Sequence, residues 1–319
     1  MPGSRIAAVG HYQPEHVLTN DDLSRMVDTS DEWIRQRTGI ASRRMARGES
    51  VTDMAAAAGT NALALAGLDP SDIGLVVVAT CTAIDRCPNI ATQVGGRLGI
   101  PAAAGYDVNN GCAGFCTALA TADHAIRDDA AEHALVIGVE KMTDVVDWTD
   151  RSTCVLLGDG AGAAVLSVDT GSSGGPLARG VGPVVWGSDP ARGDAIRLTE
   201  QWQPRFRQEG QTVFRWATTA MAPVAREACR RAGITPRDLA AIVTHQANLR
   251  IIDAIVRQLD APQAVVARDV VDSGNTSAAS IPLALSKLVE RGEVNTSAPA
   301  LLLGFGGGLS WAGQVVACP

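Results

Sequence analysis

Three residues of this 319-residue chain stand where side-chain chemistry is readily done. Cys112 lies in Tyr106-Asp-Val-Asn-Asn-Gly-Cys-Ala-Gly-Phe-Cys-Thr-Ala-Leu-Ala120. A β-like segment gives way there to glycine, cysteine and an alanine-rich helical stretch, so Cys112 is placed near a helix N-terminus. Unpaired N–H groups and the helix dipole at such a place favour thiolate over thiol. Gly111 and Gly114 permit a sharp turn and close approach of another backbone. A buried structural cysteine fits the same pattern, since free cysteine is a common core residue. Cys81, Cys87, Cys116, Cys154 and Cys229 lack this setting and read as core. His245 closes the apolar run Ile242-Val-Thr244 and opens Gln246-Ala-Asn-Leu-Arg250. It reads either as a functional strand-end imidazole or as a capped loop histidine. Asn275, in Asp272-Ser-Gly-Asn-Thr-Ser-Ala-Ala-Ser280, reads as a site amide or as an ordinary small polar cap before a helix. Gly304-Phe-Gly-Gly-Gly308 suits a phosphate cradle, an oxyanion-hole N–H or close backbone packing. It is no Walker loop, because no Gly-Lys-Ser/Thr follows. No G-x-G-x-x-G follows an early strand with a downstream acid, which disfavours a dinucleotide fold.

The elements that position these residues occur twice. Residues 54–73 and 221–239 each read as a helix ending in Ala-Gly, then an apolar residue, then x-Pro-x-Asp. Glycine just past a helix with proline soon after is a C-terminal stop. Ala66 and Ala232 are 166 apart, and the same offset aligns Leu75–Ala79 with Ala241–His245 and Ala134–Gly138 with Ala300–Gly304. It also aligns Asn109 with Asn275, so Cys112 and Asn275 fall in equivalent strand-to-helix loops. A period this long means two similar halves rather than a solenoid. Short continuous apolar runs alternating with helices predict an α/β fold with a largely parallel sheet in each half. The halves are expected at 1–170, carrying the cysteine, and 171–319, carrying the histidine and asparagine. A pseudo-twofold between them would bring the loops after equivalent strands to one shared site.

Composition narrows the function classes. Hydrophobic residues at 46% and charged residues at 19% supply a sizeable core and argue against disorder. No apolar run reaches the ~18 residues of a membrane span, and the N-terminus lacks a signal-peptide core, so a cytoplasmic protein is expected. The net charge of −7 argues against general nucleic-acid binding. Seven cysteines, an odd number without an export signal, predict free thiols, and the lack of any C-x-x-C pair disfavours zinc. Lys141 and Lys287 are the only lysines, so nearly all positive charge is arginine.

Taken together, the segments resemble ketoacyl-acyl-carrier-protein synthase III, the initiating condensing enzyme of the thiolase superfamily. The resemblance runs over essentially the whole chain. It is carried by Thr29-Ser-Asp-Glu-Trp-Ile-Arg-Gln-Arg-Thr-Gly-Ile40, Asn110-Gly-Cys-Ala-Gly-Phe115, Arg151 followed by Gly158-Asp-Gly-Ala-Gly162, and Val213-Phe-Arg215. It continues through His245-Gln-Ala-Asn-Leu-Arg250, Gly274-Asn-Thr-Ser-Ala-Ala-Ser280 and Gly304-Phe-Gly-Gly-Gly308.

The resemblance implies a thiolase-like layered αβαβα fold and a homodimer paired through the N-terminal halves. It implies that Cys112 attacks an acyl-CoA thioester and holds the starter acyl group. Malonyl-acyl carrier protein then loses CO₂, and its carbanion attacks the acyl-cysteine. His245 and Asn275 would be the donors to the malonyl thioester oxygen, which fits the chemistry of an oxyanion hole. The N–H groups of Cys112 and Gly307 would stabilise the tetrahedral intermediate. Trp33 and Arg151 would sandwich the adenine of coenzyme A, and Thr29, Arg37, Asn248 and Arg250 would line its pantetheine and phosphate path. Cys87, reaching across the dimer, and Phe305 would bound the acyl pocket. Arg215, Arg250 and Arg257 would form a basic rim for the acidic carrier protein. No cofactor beyond the CoA thioester substrate and no metal is expected. Asn110 departs from the alanine frequent in this family, and either perturbs the nucleophile loop or hydrogen-bonds within it. Cys87 is small where the family often has a large residue, which implies a branched or longer starter than acetyl.

The competing reading is an acyltransferase that passes the acyl group from Cys112 to an alcohol or amine without decarboxylation. The Cys112, His245 and Asn275 set favours condensation, and disfavours a non-catalytic partner subunit. A biosynthetic thiolase is disfavoured because its second active-site cysteine has no counterpart in Gly304–Gly308.

Overall fold

The apolar run Leu75–Ala79 forms a strand buried along its whole length, and its counterpart Ala241–Thr244 does the same. Around them the computed structural model, which describes residues 3–85, 87–169, 171, 177, 180–198 and 204–319, builds two five-stranded sheets. The first half contains β1 (Gly3–Tyr12), β2 (Val17–Thr19), α1 (Asn20–Ser24), α2 (Asp31–Thr38), β3 (Ser42–Arg44) and α3 (Val51–Ala66). It continues with β4 (Leu75–Ala79), α4 (Ile90–Leu98), β5 (Ala104–Val108), α5 (Gly114–Arg127), β6 (His133–Lys141) and β7 (Asp159–Asp169). The second half contains β8 (Val185–Ser188), β9 (Ile196–Leu198), β10 (Phe206–Gln208), α6 (Gly210–Arg231), β11 (Ala241–Thr244) and α7 (Leu249–Leu259). It ends with β12 (Val265–Val266), α8 (Val270–Ser273), α9 (Ser280–Glu290), β13 (Pro299–Gly306) and β14 (Ser310–Ala317).

The sheets run β1-β7-β6-β4-β5 and β8-β14-β13-β11-β12, the same order in each half. Register repeats with the sequence offset: Leu75 pairs with Ala134 in the first sheet, and Ala241 with Ala300 in the second. Both sheets are mixed rather than largely parallel. The β4–β5 and β4–β6 pairs are parallel, whereas β6–β7 and β1–β7 are antiparallel. The cause is the connection. Helix α5 carries the chain from β5 back to the end where it began, so β6 runs parallel in the same sheet. Residues 142–158 hold only a short 3-10 turn, Met142–Asp144, as a regular element, so β7 starts where β6 stopped and must return.

Helices α5 and α9 pack between the sheets, α3 and α4 cover the outer face of the first, and α6 and α7 that of the second. This is the five-layer αβαβα arrangement. The middle layer is unusually close because β6 and β7 present glycine there. A Cβ on Gly138 would strike the Ala278 carbonyl, and one on Gly162 would strike the backbone of Leu283. Helix α3 stops at Gly67 in the left-handed conformation. Helix α6 stops at Ala232, with Gly233 left-handed behind it, as the repeated Ala-Gly signal predicts. The expected divide at 170/171 lies in a stretch partly outside the described residues. The first sheet uses residues 3–169 and the second 185–317.

The two nucleophile-side loops match only on their helix side. Ala104 lies opposite Leu75, but Val265 lies opposite Ala241, five residues short of the offset. The extra length forms α8. Equivalence resumes at the next turn, where Gly111 and Ser277 have φ of +48° and +47°. A serine in this region is strained, because its Cβ crowds the backbone.

Candidate active site

Cys112, His245 and Asn275 line one cavity of about 670 Å³, with Phe305 and Gly306 beside them and Trp33, Arg37, Arg215 and Arg250 also on its wall. Residues from both halves therefore meet in one place.

Cys112 sits in the 3-10 turn Gly111–Ala113, just ahead of α5. The turn carries Cys112 against β13, where a Cβ on Gly306 would lie 2.8 Å from Cys112 Cβ and 2.9 Å from Sγ. The backbone N–H groups of Gly307 and Cys112 favour the sulfur's anionic form. Ser310 fixes the Gly307 peptide by donating its hydroxyl to the Gly307 carbonyl at 2.6 Å. The thiolate expected from the helix terminus is not the resting state. Burial pushes the Cys112 thiol up to about 11, outweighing the N–H donors that lower it. Asn110 does not distort the loop: its amide donates to Thr117 Oγ1 at 2.9 Å, one turn into α5.

His245 follows β11 and is 2% exposed. Its Nδ1 lies 2.8 Å from Ser280 Oγ, and that oxygen also accepts the Gln246 N–H at 3.3 Å. Of these two partners only Nδ1 can accept the Ser280 proton. With Ser280 as the donor, Nδ1 is the acceptor and Nε2 carries the ring proton, which is the tautomer the condensation chemistry uses. Burial lowers the pKa of His245 to about 3, so the ring is neutral at physiological pH. Phe305 packs edge-on against it, with ring centroids 5.5 Å apart.

Asn275 is held by its backbone to residues 156–158: its N–H donates to Leu156 at 2.8 Å and its carbonyl accepts Gly158 N–H at 3.0 Å. Its Oδ1 accepts the Ser277 N–H at 2.9 Å, which leaves the NH₂ as the donor end of the amide. Two cations brace this wall, Arg43 buried and Lys287 half-buried. Arg43, fully buried, donates to the carbonyls of Leu18 and Val155 and to Asn20 Oδ1. Lys287 on α9 binds Asp269 at 2.7 Å, together with Gln13 and Ser273.

The outer residues are less uniform. Trp33, Arg37, Asn248, Arg250 and Arg215 line the cavity, whereas Thr29, Arg151, Cys87 and Arg257 do not. Arg37 and Arg151 already cover Trp33, with guanidinium carbons 4.4 and 5.1 Å from the ring centroid. An aromatic base stacked between Trp33 and Arg151 needs about twice the ~3.5–4 Å contact distance, so Arg151 must swing away to admit one. Arg151 is meanwhile tied to Asp28 at 3.0 Å. Asn248 caps α7: its Oδ1 accepts Arg250 N–H and its Nδ2 donates to the Arg37 carbonyl, so both ends of its amide are engaged. Arg250 lies over the Phe214 ring at 5.2 Å. Cys87 is exposed on the loop after β4.

Sequence reasoning assigned no role to Ser277, Ser280 or Glu140. The two serines stood inside the quoted Gly274–Ser280 segment, and a lone acid closing the apolar run Ala134–Val139 was the available signal for Glu140. Among the described residues no cluster of histidine, cysteine or carboxylate side chains is arranged to hold a metal, and no helix is long and apolar enough to cross a membrane.

Comparison with known proteins bears on the same residues. Residues 106–189 match the family described as 3-oxoacyl-[acyl-carrier-protein (ACP)] synthase III, and residues 229–318 match its C-terminal counterpart. The chain is 63% identical over 318 residues to beta-ketoacyl-[acyl-carrier-protein] synthase III 4 of Streptomyces coelicolor, with 99% of each chain covered. It is 62% identical to synthase III 2 of Streptomyces avermitilis, with 100% of each covered. Among solved structures it superposes with a TM-score of 0.96 on the priming beta-ketosynthase from the R1128 polyketide biosynthetic pathway, at 43% identity, covering 99% of this chain and 96% of that one.

Proposed function

This chain belongs to the 3-oxoacyl-[acyl-carrier-protein] synthase III family, and we propose that it condenses an acyl-CoA starter with malonyl-acyl carrier protein to initiate fatty-acid or polyketide chains. The observation that carries the reading is the convergence of a thiol with two neutral donors, His245 Nε2–H and the Asn275 NH₂, on one cavity.

In the first half-reaction Cys112 attacks the starter thioester, and the N–H groups of Cys112 and Gly307 receive the charge that develops on its oxygen. Coenzyme A leaves, and the starter stays on sulfur. In the second, the malonyl group loses CO₂ and negative charge moves onto its thioester oxygen. Two neutral donors stabilise that charge better in the transition state than in the ground state, which is the condition for acceleration. A cationic histidine is not required, and burial forbids one. The carbanion attacks the acyl carbon, and 3-oxoacyl carrier protein departs. The two half-reactions balance without a redox or metal cofactor and predict ping-pong kinetics.

The wall of Trp33, Arg37, Asn248 and Arg250 suits the pantetheine and phosphates of the CoA substrate, with Thr29 and Arg151 at its margin. Arg215, Arg250 and Arg257 on α6 and α7 supply a basic rim for an acidic carrier protein on a chain of net charge −7. Cys87 reaches no acyl chain within its own subunit. Its role as a pocket wall with Phe305 belongs to a cytoplasmic homodimer in which the partner's loop enters. A small side chain there leaves depth for a branched or longer starter.

Intact-mass spectrometry with a panel of acyl-CoAs, chased with malonyl-acyl carrier protein, tests the reading. A starter-sized gain lost in Cys112→Ala and discharged as ketoacyl carrier protein with CO₂ release is the expected result. Acylation that malonyl carrier protein cannot discharge overturns condensation in favour of acyl transfer to another nucleophile. A strong preference for acetyl-CoA over isobutyryl- and hexanoyl-CoA overturns the deep-pocket assignment.

A further inference from the structure

The proposed acylation, on which this inference rests, leaves a proton unplaced. Cys112 rests as a thiol and must lose its proton as sulfur attacks. His245 cannot take it, because Nε2 already carries a proton and Nδ1 is occupied by Ser280. Near the sulfur lies a carboxyl that the condensation mechanism does not use. Glu140 closes β6 and is 0% exposed. It accepts from Thr82 Oγ1 at 2.7 Å, Thr80 Oγ1 at 3.2 Å, and Cys81 through both its N–H and its Sγ at 3.2 Å. The neighbouring Lys141 pairs with Asp144 instead, and among the described residues no ion pair reaches Glu140.

Ser277 and Cys81 join the two groups. Cys112 Sγ donates to Ser277 Oγ at 3.5 Å, Ser277 Oγ lies 3.8 Å from Cys81 Sγ, and Cys81 Sγ donates to Glu140 Oε1 at 3.2 Å. A hydroxyl that accepts from one thiol and donates to a second, itself bonded to a carboxylate, is a proton wire. Ser277 holds this place in a strained left-handed conformation, and an uncompensated buried carboxyl is costly.

We propose that Ser277, by way of the Cys81 thiol, relays the Cys112 proton to Glu140 during acylation and returns it to sulfur when the acyl group leaves. The step balances. As the S–C bond forms and the C–S bond to coenzyme A breaks, the thiol proton passes to the Ser277 oxygen, the Ser277 proton to the Cys81 sulfur and the Cys81 proton to Glu140. The departing CoA thiolate takes its proton from water. During condensation the carbanion forms the new C–C bond, the acyl C–S bond breaks, and Cys112 recovers its proton from Glu140 by the same path. Burial raises the affinity of Glu140 for a proton, which suits an acceptor that stays protonated throughout the life of the acyl-enzyme. The titratable groups that face Glu140 are two thiols, Cys81 on the loop after β4 and Cys112 on the turn before α5.

The test measures Cys112 alone by two routes from pH 6 to 10: alkylation by iodoacetamide, read on the Cys112 peptide, and single-turnover acylation by acyl-CoA. The variants are Ser277→Ala, Ser277→Gly, Glu140→Gln and Glu140→Asp. Ser277→Gly removes the hydroxyl while relieving the left-handed strain, so loss of folding does not obscure its result. Ser277→Ala, Ser277→Gly and Glu140→Gln are expected to slow both reactions about 10²-fold near pH 7 and to recover tenfold per pH unit as hydroxide replaces the relay. Glu140→Asp is expected to recover part of the rate. Wild-type rates and pH profile in folded Ser277→Gly overturn the relay, and so does an equal loss at every pH, which is the mark of a structural role. Wild-type protein that alkylates normally but accepts no acyl-CoA overturns the functional reading instead, and the alkylation profiles still decide the relay.

Discussion

Gly306→Ala isolates how closely β13 must approach the nucleophile. Gly306 lies outside the positive-φ region, so alanine is conformationally allowed and only space is at issue. The added methyl would stand 2.8 Å from Cys112 Cβ and 2.9 Å from Sγ. Carbon contacts relax to ~3.5–4.0 Å, so the pair must separate by about 0.7–1 Å. Neither side yields readily, because β13 is buried between β11 and β14 and the Cys112 turn packs on Gly304 and Gly307. Overpacking of this kind costs about 1–3 kcal/mol of stability. A displacement near 1 Å of a reacting atom costs about 10²-fold in rate, or ~2.7 kcal/mol of barrier. The assay is single-turnover acylation followed by intact mass, beside urea unfolding. Gly48→Ala is the control, since a Cβ there meets nothing within 4 Å. An acylation rate for Gly306→Ala within threefold of wild type, at unchanged stability, would refute the argument that this glycine is required for sulfur placement.

Three further outcomes follow from the same geometry. The folded-state pKa of His245 is depressed to about 3, so its contribution is present above the unfolded value of ~6.5 and is lost as pH falls toward 3. Between pH 6.5 and 5, wild type should lose about 1.6 kcal/mol more than His245→Gln in urea unfolding; parallel curves for the two proteins contradict a buried neutral ring. Arg250→Glu should raise KM for the carrier substrate several-fold at low salt, with the difference shrinking as salt rises. An unchanged KM at low salt removes Arg250 from the docking rim. Lys287→Met leaves Asp269 buried without its partner and should cost about 3–5 kcal/mol, largely recovered by adding Asp269→Asn. A loss below 1 kcal/mol in the single variant would show that the pair does not brace the wall before Asn275.

Much of this architecture was legible as spacing. The 166-residue offset reappears in the shared register of β4–β6 and β11–β13, because register follows from which apolar residues face each middle-layer helix. The Ala-Gly stops of α3 and α6 were legible because capping is local. The parallel sheet prediction failed where the connection between β6 and β7 lacks a helix, which an apolar run does not reveal. Asn110 stood open until its partner Thr117 was placed. The Trp33–Arg151 sandwich was implied by likeness, but side-chain packing closes it in this structure.

The sequence by itself determined that two like halves would bring a cysteine, a histidine and an asparagine together, since motif spacing and helix stops are properties of neighbours along the chain. Only the tertiary structure decided their chemical states. The Cys112 thiol, the His245 tautomer and the orientation of the Asn275 amide depend on burial and on hydrogen-bond partners. Ser277, 165 residues beyond Cys112, and Ser280, 35 beyond His245, supply two of those partners. Proton affinity is set by what surrounds a group in space, and that is known only once the halves have closed on each other.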